Sequence, residues 1–239
     1  MRIAIALAAG LLAATSLSTI SHAQAPSAAV TAAVADAGRT DAEKARDEGR
    51  KPAQVVAVAG VKAGDKVGEL APGGGYYSKI LAKVVGPNGK VYAFNNRPAS
   101  PAYQALLTAN PNVALTQVTS YVDLKSPEPL DVVWTTENYH DFKNGQDTAA
   151  VNKAVFAALK PGGVYFITDH NAPGTGVSAT STLHRIDVEA VKAEVLAAGF
   201  TLETQSNVLA NAEDKHTTSP GQEPGDFSDR FVLKFRKPR

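Results

Sequence analysis

From residue 60 onward the chain alternates between two hydrophobic rhythms. Tyr77, Ile80, Leu81 and Val84 fall at i, i+3, i+4 and i+7, one face of a helix, and predict a helix over 76–85 closed by Gly86-Pro87. Val151, Val155, Ala158 and Leu159 predict a second over 148–159. Val188, Val191, Val195 and Leu196 predict a third, capped by Asp187 and ended by Gly199. Ser100-Pro101 opens a short helix to Ala109. Between these, short apolar runs bounded by turn residues predict strands at 66–70, 90–95, 113–118, 131–136, 164–168, 201–209 and 231–236. Upstream, Thr40-Asp41-Ala42-Glu43 is a capping box that opens a polar helix to about Gly49. Pro52, with Val55, Val56 and Ala59, predicts another that ends at Gly60. Alternating strands and helices imply an α/β fold with a parallel sheet covered on both faces. Ligands of such sheets bind beyond the carboxyl ends of the strands.

The first residues follow a different logic. Arg2, the Ala/Leu-rich run from Ile3 to Leu17 and the small residues Ser21-His22-Ala23 have the layout of a secretory signal peptide over 1–23, cleaved after Ala23. Pro26 disfavours the alternative cut after Ala25. The run is too short and alanine-rich for a membrane span of about 20 apolar residues. The expectation is a periplasmic or secreted protein with no stable membrane anchor once the leader is removed. Residues 24–38 read as an Ala-rich linker, and 39–239 as a single domain with N-terminal helices over 39–60 and an α/β core over 61–239.

Charge and composition narrow the chemistry. Lys and Arg number 24 against 23 Asp and Glu, a net charge of +1, which leaves no excess for nucleic-acid phosphates. The absence of Cys removes thiol nucleophiles, disulfides, CxxC redox pairs and iron–sulfur chemistry. A small-molecule partner remains.

The loop Leu70-Ala71-Pro72-Gly73-Gly74-Gly75 joins the first strand to the helix at 76–85. Glycines let the backbone approach a ligand, and the helix start supplies free N–H groups. Gly73-x-Gly75-x-x-Ser78 half-matches the dinucleotide fingerprint. Glu69 before it would repel a pyrophosphate but suits a cationic amino-acid group.

Glu69-Leu-Ala-Pro-Gly73-Gly-Gly75 resembles the first motif of class I S-adenosylmethionine (SAM)-dependent methyltransferases, with Ala71 in the first glycine position. Asp131-Val-Val-Trp, Leu159-Lys-Pro-Gly-Gly163 and the two closing strands fit the same superfamily over roughly 50–237. Asn138-Tyr-His-Asp141, Asp169-His170 and Leu183-His-Arg-Ile-Asp187 more narrowly resemble a group of exported bacterial proteins described as predicted methyltransferases. The resemblance implies a Rossmann-like, seven-stranded, mostly parallel sheet whose last strand is antiparallel, and SAM as cofactor. It implies that Gly73 and Gly75 line the methionine part, that Glu69 lies near its amino group, and that Asn95 meets the ribose where a carboxylate is usual. Ala71 and Asn138 belong with these cofactor residues. Tyr121 or Asp123 would meet the adenine.

His140, His170 and His184 each follow a strand end or the next loop, so all three face one sheet edge. A His of near-neutral pKa suits a general base for methyl transfer, with Asp141 or Asp169 to orient it. Arg185 would bind a substrate carboxylate or phosphate, or else pair with a neighbouring Asp. His140, Asp169, His170 and His184 offer metal-type donors, but no His-x-x-x-His spacing is present, and no metal is expected. The long stretch 210–229, with His216, would emerge at the same edge as a cover. The function expected is SAM-dependent methyl transfer to a small molecule. The alternative is a non-catalytic or repurposed binding protein on the same fold.

Overall fold

The computed structural model of the protein describes residues 25–221 and 227–239. Its strands are β1 (Lys66–Leu70), β2 (Lys90–Asn95), β3 (Val113–Gln117), β4 (Leu130–Thr136), β5 (Leu159–His170), β6 (Thr201–Ser206) and β7 (Arg230–Arg236). They form one sheet in the order β3-β2-β1-β4-β5-β7-β6. The pairs among β1 to β5 are parallel, and β7 runs antiparallel between β5 and β6. β6 therefore points the same way as the first five strands. This is the Rossmann-like arrangement expected from the sequence, with the last strand as its antiparallel member.

The helices are α1 (Ala28–Val34), α2 (Asp41–Lys44), α3 (Asp47–Arg50), α4 (Pro52–Ala59), α5 (Tyr76–Val85), α6 (Pro101–Ala109), α7 (Tyr139–Gly145), α8 (Thr148–Ala158), α9 (Thr180–Leu183) and α10 (Val188–Ala197). Side chains alternate across a strand, so each central strand feeds two cores. Val67, Val91, Val132, Trp134 and Phe166 face α1, α4, α5 and α6. Leu70, Phe94, Val133, Tyr165 and Ile167 face α7, α8 and α10. Gly68 belongs to the second face, where a Cβ would fall 2.6 Å from Leu130 Cδ1.

Several local signals act as read. Thr40 and Glu43 make the capping box, and Ser100 and Asp187 cap α6 and α10 through their side chains; Asp147, not marked in the sequence, caps α8 in the same way. Four features differ. Residues 28–34, expected within a linker, form α1: the Ser27 hydroxyl accepts from Val30 N–H, and Val30 and Ala33 are buried against α5 and α4. A single turn of Val30, Ala33 and Val34 is too short to show a helical period in the sequence, but it packs against the core. The helix expected over 40–49 is broken at Ala45-Arg46 into α2 and α3, where Arg46 N–H bonds to the Glu43 carbonyl in a tightened turn, and Lys51 at φ 43° ends α3. Residues 139–145 carry α7, which the sequence pattern did not mark. Lys160-Pro161-Gly162-Gly163 lies within β5, where the register with β4 shifts between Leu130 and Val132. The leader expected at 1–23 lies outside the described residues. No helix among the described residues is long and apolar enough to cross a membrane.

If α1 is an integral part of the core, Val30→Ala lowers stability by about 2 kcal/mol, the lost methyl burial plus a residual void. A urea titration reads this as a lower midpoint at unchanged slope; an unchanged midpoint would mean that α1 is only loosely attached.

Candidate functional site

β1 delivers the chain into the glycine loop with its backbone in the left-handed region at three positions: Ala71 (φ 52°), Gly73 (φ 56°) and Gly75 (φ 87°). The two glycines have different surroundings. A Cβ on Gly75 would sit 2.4 Å from Leu106 Cδ1, so that glycine exists to let α6 close on the start of α5. A Cβ on Gly73 would meet nothing within 4 Å. Gly73 faces a cavity of about 470 Å³ at the carboxyl edge of the sheet.

Ala71 and Gly73 line this cavity from β1, Asn95 and Asn96 from the end of β2, and Asn138 from the end of β4. Asn138 donates from Nδ2 to the Ala71 carbonyl at 3.2 Å and also to the Thr136 carbonyl, which ties the glycine loop to β4. Tyr121, Phe142 and Gln146 line the cavity too. The Gln146 Oε1 accepts from Ser120 Oγ at 2.7 Å and from Tyr121 N–H at 2.8 Å, fixing the turn that carries Tyr121. Arg97 and Asp141 are the charged residues in the lining. Of the two adenine candidates, the structure brings Tyr121 to the cavity and not Asp123. Asn96, Phe142 and Gln146 were not foreseen, the last two because α7 and the residue after it were not recognised.

Glu69 is not part of that lining. Period-two alternation turns it with Val67 into the opposite core, where it is buried. Its Oε2 accepts from Ser78 Oγ at 2.5 Å, and the Tyr103 hydroxyl lies 3.0 Å from the same Oγ. Burial pushes its carboxyl from the ordinary 4.5 up to about 7, against a smaller lowering by Ser78.

The three histidines do converge. The His140 Nδ1 lies 2.8 Å from Asp169 Oδ1, and the backbone N–H groups of His140 and His170 both donate to the Asp169 carboxylate. The ring centroid of His140 is 6.0 Å from that of His170 and 5.5 Å from that of His184. The Asp141 Oδ1 stands 3.4 Å from His140 Nε2 and 3.6 Å from His184 Nδ1. Asp141 thus belongs to both the cavity lining and the histidine cluster. Burial alone would push the His140 imidazole down; the Asp169 charge and hydrogen bond outweigh it and hold it above the ordinary value. His170 goes the other way, held down by burial. Its Nδ1 meets Ser228 Oγ at 2.8 Å, and its Nε2 lies 4.0 Å from Glu137.

Glu137 closes the strand end at φ 59°. Its partly buried carboxylate meets the guanidinium groups of Arg50 and Arg230. Burial would raise this carboxyl, but Arg50, His170 and Arg230 hold it at about 2.

Arg185, expected to meet substrate, is instead fully buried. Its Nη1 meets Asp214 Oδ2 at 2.8 Å and its Nε donates to the Thr218 carbonyl at 2.8 Å. It pins the segment after β6 to the core, the pairing with a neighbouring Asp that the sequence also allowed. That segment emerges at the carboxyl edge as foreseen. Its described residues do not line the cavity, and His216 is engaged by Asp229 at 3.0 Å.

No family model matches the chain, and no curated protein sequence matches it. Solved structures do. A SAM-dependent methyltransferase from Aquifex aeolicus aligns with a TM-score of 0.60 at 18% identity, over 83% of this chain and 94% of that one. The 1,6-didemethyltoxoflavin-N1-methyltransferase of Burkholderia thailandensis, solved with its substrate and S-adenosylhomocysteine, aligns at 0.55 and 16%, over 82% and 80%. The [4+2]-cyclase SpnF aligns at 0.57 and 15%, over 87% and 91%. The chain therefore has the fold of SAM-dependent methyltransferases, a fold that the cyclase shares.

The Glu69 geometry carries a pH signature. Its folded pKa lies above its unfolded one, so its contribution is fully present below pH 4.5 and is lost as pH rises to about 7. Glu69→Gln lacks this loss. Between pH 4.5 and 8 the stability of the variant relative to wild type should rise by roughly 3 kcal/mol. Paired denaturant titrations across that range measure it, and a pH-independent difference would contradict the buried placement.

Proposed function

We propose that the protein is a SAM-dependent methyltransferase of the exported bacterial group that its histidine motifs resemble, acting on a small molecule. The observation that carries this is the cavity beside the open Gly73, lined by Asp141, whose carboxylate lies 3.4 Å from His140 Nε2. The residues fit the cofactor. Gly73 and Ala71 leave room for close backbone approach. Asn95 and Asn96 offer amides to a diol, and Tyr121 offers a ring to a base. The lining has one cation, Arg97, too few for a pyrophosphate and adequate for a zwitterion. Its volume lies in the range of small-molecule sites.

When bound, SAM supplies an activated methyl on a sulfonium, which leaves the protein mainly the tasks of proximity and orientation. Asn138 keeps the glycine loop in place. His140, steered by Asp169, presents Nε2 toward Asp141 and takes the proton of an acceptor hydroxyl or amine that approaches from the cavity. Asp169 then stabilises the imidazolium. The leader at 1–23 would deliver the protein to the periplasm or beyond, so the N-terminus of the exported protein should be Gln24; mass spectrometry of the secreted or periplasmic fraction reads this directly.

A second reading, a binding protein that keeps the fold without methyl transfer, is favoured by the amides at the end of β2. A hydrogen bond to an amide lacks the roughly twofold strengthening of a charged acceptor. Calorimetric titration of the purified protein with SAM separates the two. The methyltransferase reading expects micromolar binding, at least about tenfold weaker in Asn95→Ala. It expects no measurable binding in Gly73→Val, whose side chain enters the cavity. Folded wild-type protein that binds no SAM at millimolar concentration would leave the second reading.

A further inference from the structure

We infer that His140, Asp141 and His184 form a binding site for a first-row divalent cation of the zinc type, open toward the cavity. The three ligand atoms lie within 4.8 Å of one another. Around a tetrahedral zinc with bonds of about 2.0–2.2 Å, neighbouring ligand atoms are separated by roughly 3.3–3.6 Å. The Asp141 Oδ1 is 3.4 Å from His140 Nε2 and 3.6 Å from His184 Nδ1. Those separations exceed the ~2.9 Å of a good N–H···O bond and match the edges of a coordination tetrahedron. Two imidazole nitrogens and one carboxylate favour zinc, copper, nickel or iron over magnesium and calcium, which take oxygen ligands.

The surroundings add an independent argument. A metal-binding His characteristically gives its other nitrogen to a carboxylate, which fixes the tautomer and aims the lone pair. His140 does this, with Nδ1 2.8 Å from the fully buried Asp169, itself held by two backbone N–H groups. The other two ligands are about half exposed, at 52% for Asp141 and 55% for His184, so a cation has a path from solvent. Three protein ligands leave one position for water or substrate, as in catalytic rather than structural zinc sites. Asp141 lines the cavity, so that position is within reach of an incoming oxygen or nitrogen.

Sequence spacing alone hides this site. His140 and Asp141 are adjacent on α7, whereas His184 arrives from the end of α9 in a left-handed conformation, φ 50°. For its consequence the inference rests on the methyltransferase reading and alters it at one atom. With the cation present, His140 Nε2 would be a ligand, and the cation would lower the pKa of a coordinated acceptor, whose proton passes to solvent water in place of direct abstraction by His140. The binding itself does not depend on that reading.

The test is calorimetric titration of chelator-treated protein with Zn²⁺ alone. One ion per chain is expected, with affinity at least about tenfold weaker in Asp141→Asn and in His184→Asn; Asn tolerates the left-handed backbone at the second position. His216→Ala, outside the cluster, should leave affinity unchanged. In wild-type protein loaded with Co²⁺, proton NMR should show paramagnetically shifted ring protons from two histidines, a readout that needs no variant. Gly73→Val should lose SAM and retain Zn²⁺, so failure of the cofactor reading is distinguishable from failure of this one. Absence of Zn²⁺ binding, or affinity unchanged in either ligand variant, overturns the proposal.

Discussion

The partly buried carboxylate of Glu137 is the interaction on which the functional edge depends. It sits at the tip of β4 and meets Arg50 from α3 and Arg230 from the first residue of β7. Arg230 also donates to the Gly49 carbonyl at 2.7 Å. One anion thus joins the N-terminal helices, the central strand and the inserted last strand. Desolvating three charges costs several kcal/mol per ion, and the cluster is tolerable because each charge faces an opposite one. Loss of one partner would leave a buried charge uncompensated. The left-handed backbone at Glu137, a strain of about 1–3 kcal/mol, persists because these contacts over-determine it. They also set the next turn, which carries Asn138, His140 and Asp141 to the cavity.

Charge is sorted around this edge. Of two carboxylates on adjoining elements, the buried Glu69 is pushed up to about 7, while the partly buried Glu137 is held at about 2. The difference is company: a hydroxyl for Glu69, two guanidinium groups for Glu137. Asp169 is satisfied differently again, by two backbone N–H groups and the His140 ring. By contrast Asp141, which lines the cavity, and His184 beside it are about half exposed.

Much of the fold was legible because its signals are local. Capping residues at Thr40, Ser100 and Asp187, glycines at element ends and two hydrophobic periods lie within a few residues of what they define. The convergence of His140, His170 and His184 was legible from topology, since strand ends of a parallel sheet share an edge. Other features depend on contacts distant in sequence. α1 is a helix because Val30 and Ala33 find α5. Arg185 turns inward because Asp214 and Thr218 arrive from 29 and 33 residues later. Glu69 was drawn to the cofactor by resemblance, although strand parity placed it with Val67. α7 has too few apolar residues to announce itself, and with it went Phe142 and Gln146.

The insertion of β7 between β5 and β6 also orders events in time. A chain emerging from its N-terminus can pair β1 to β5 as each becomes available, but β6 has no neighbour in the sheet until β7 arrives. Until then β5 presents an unpaired edge, and Glu137 lacks Arg230. The half of the sheet that carries the histidine edge is therefore completed by the latest-made strand. A newly synthesised chain keeps that edge open for association with other strands, and with chaperones, from the completion of β5 until β7 is made.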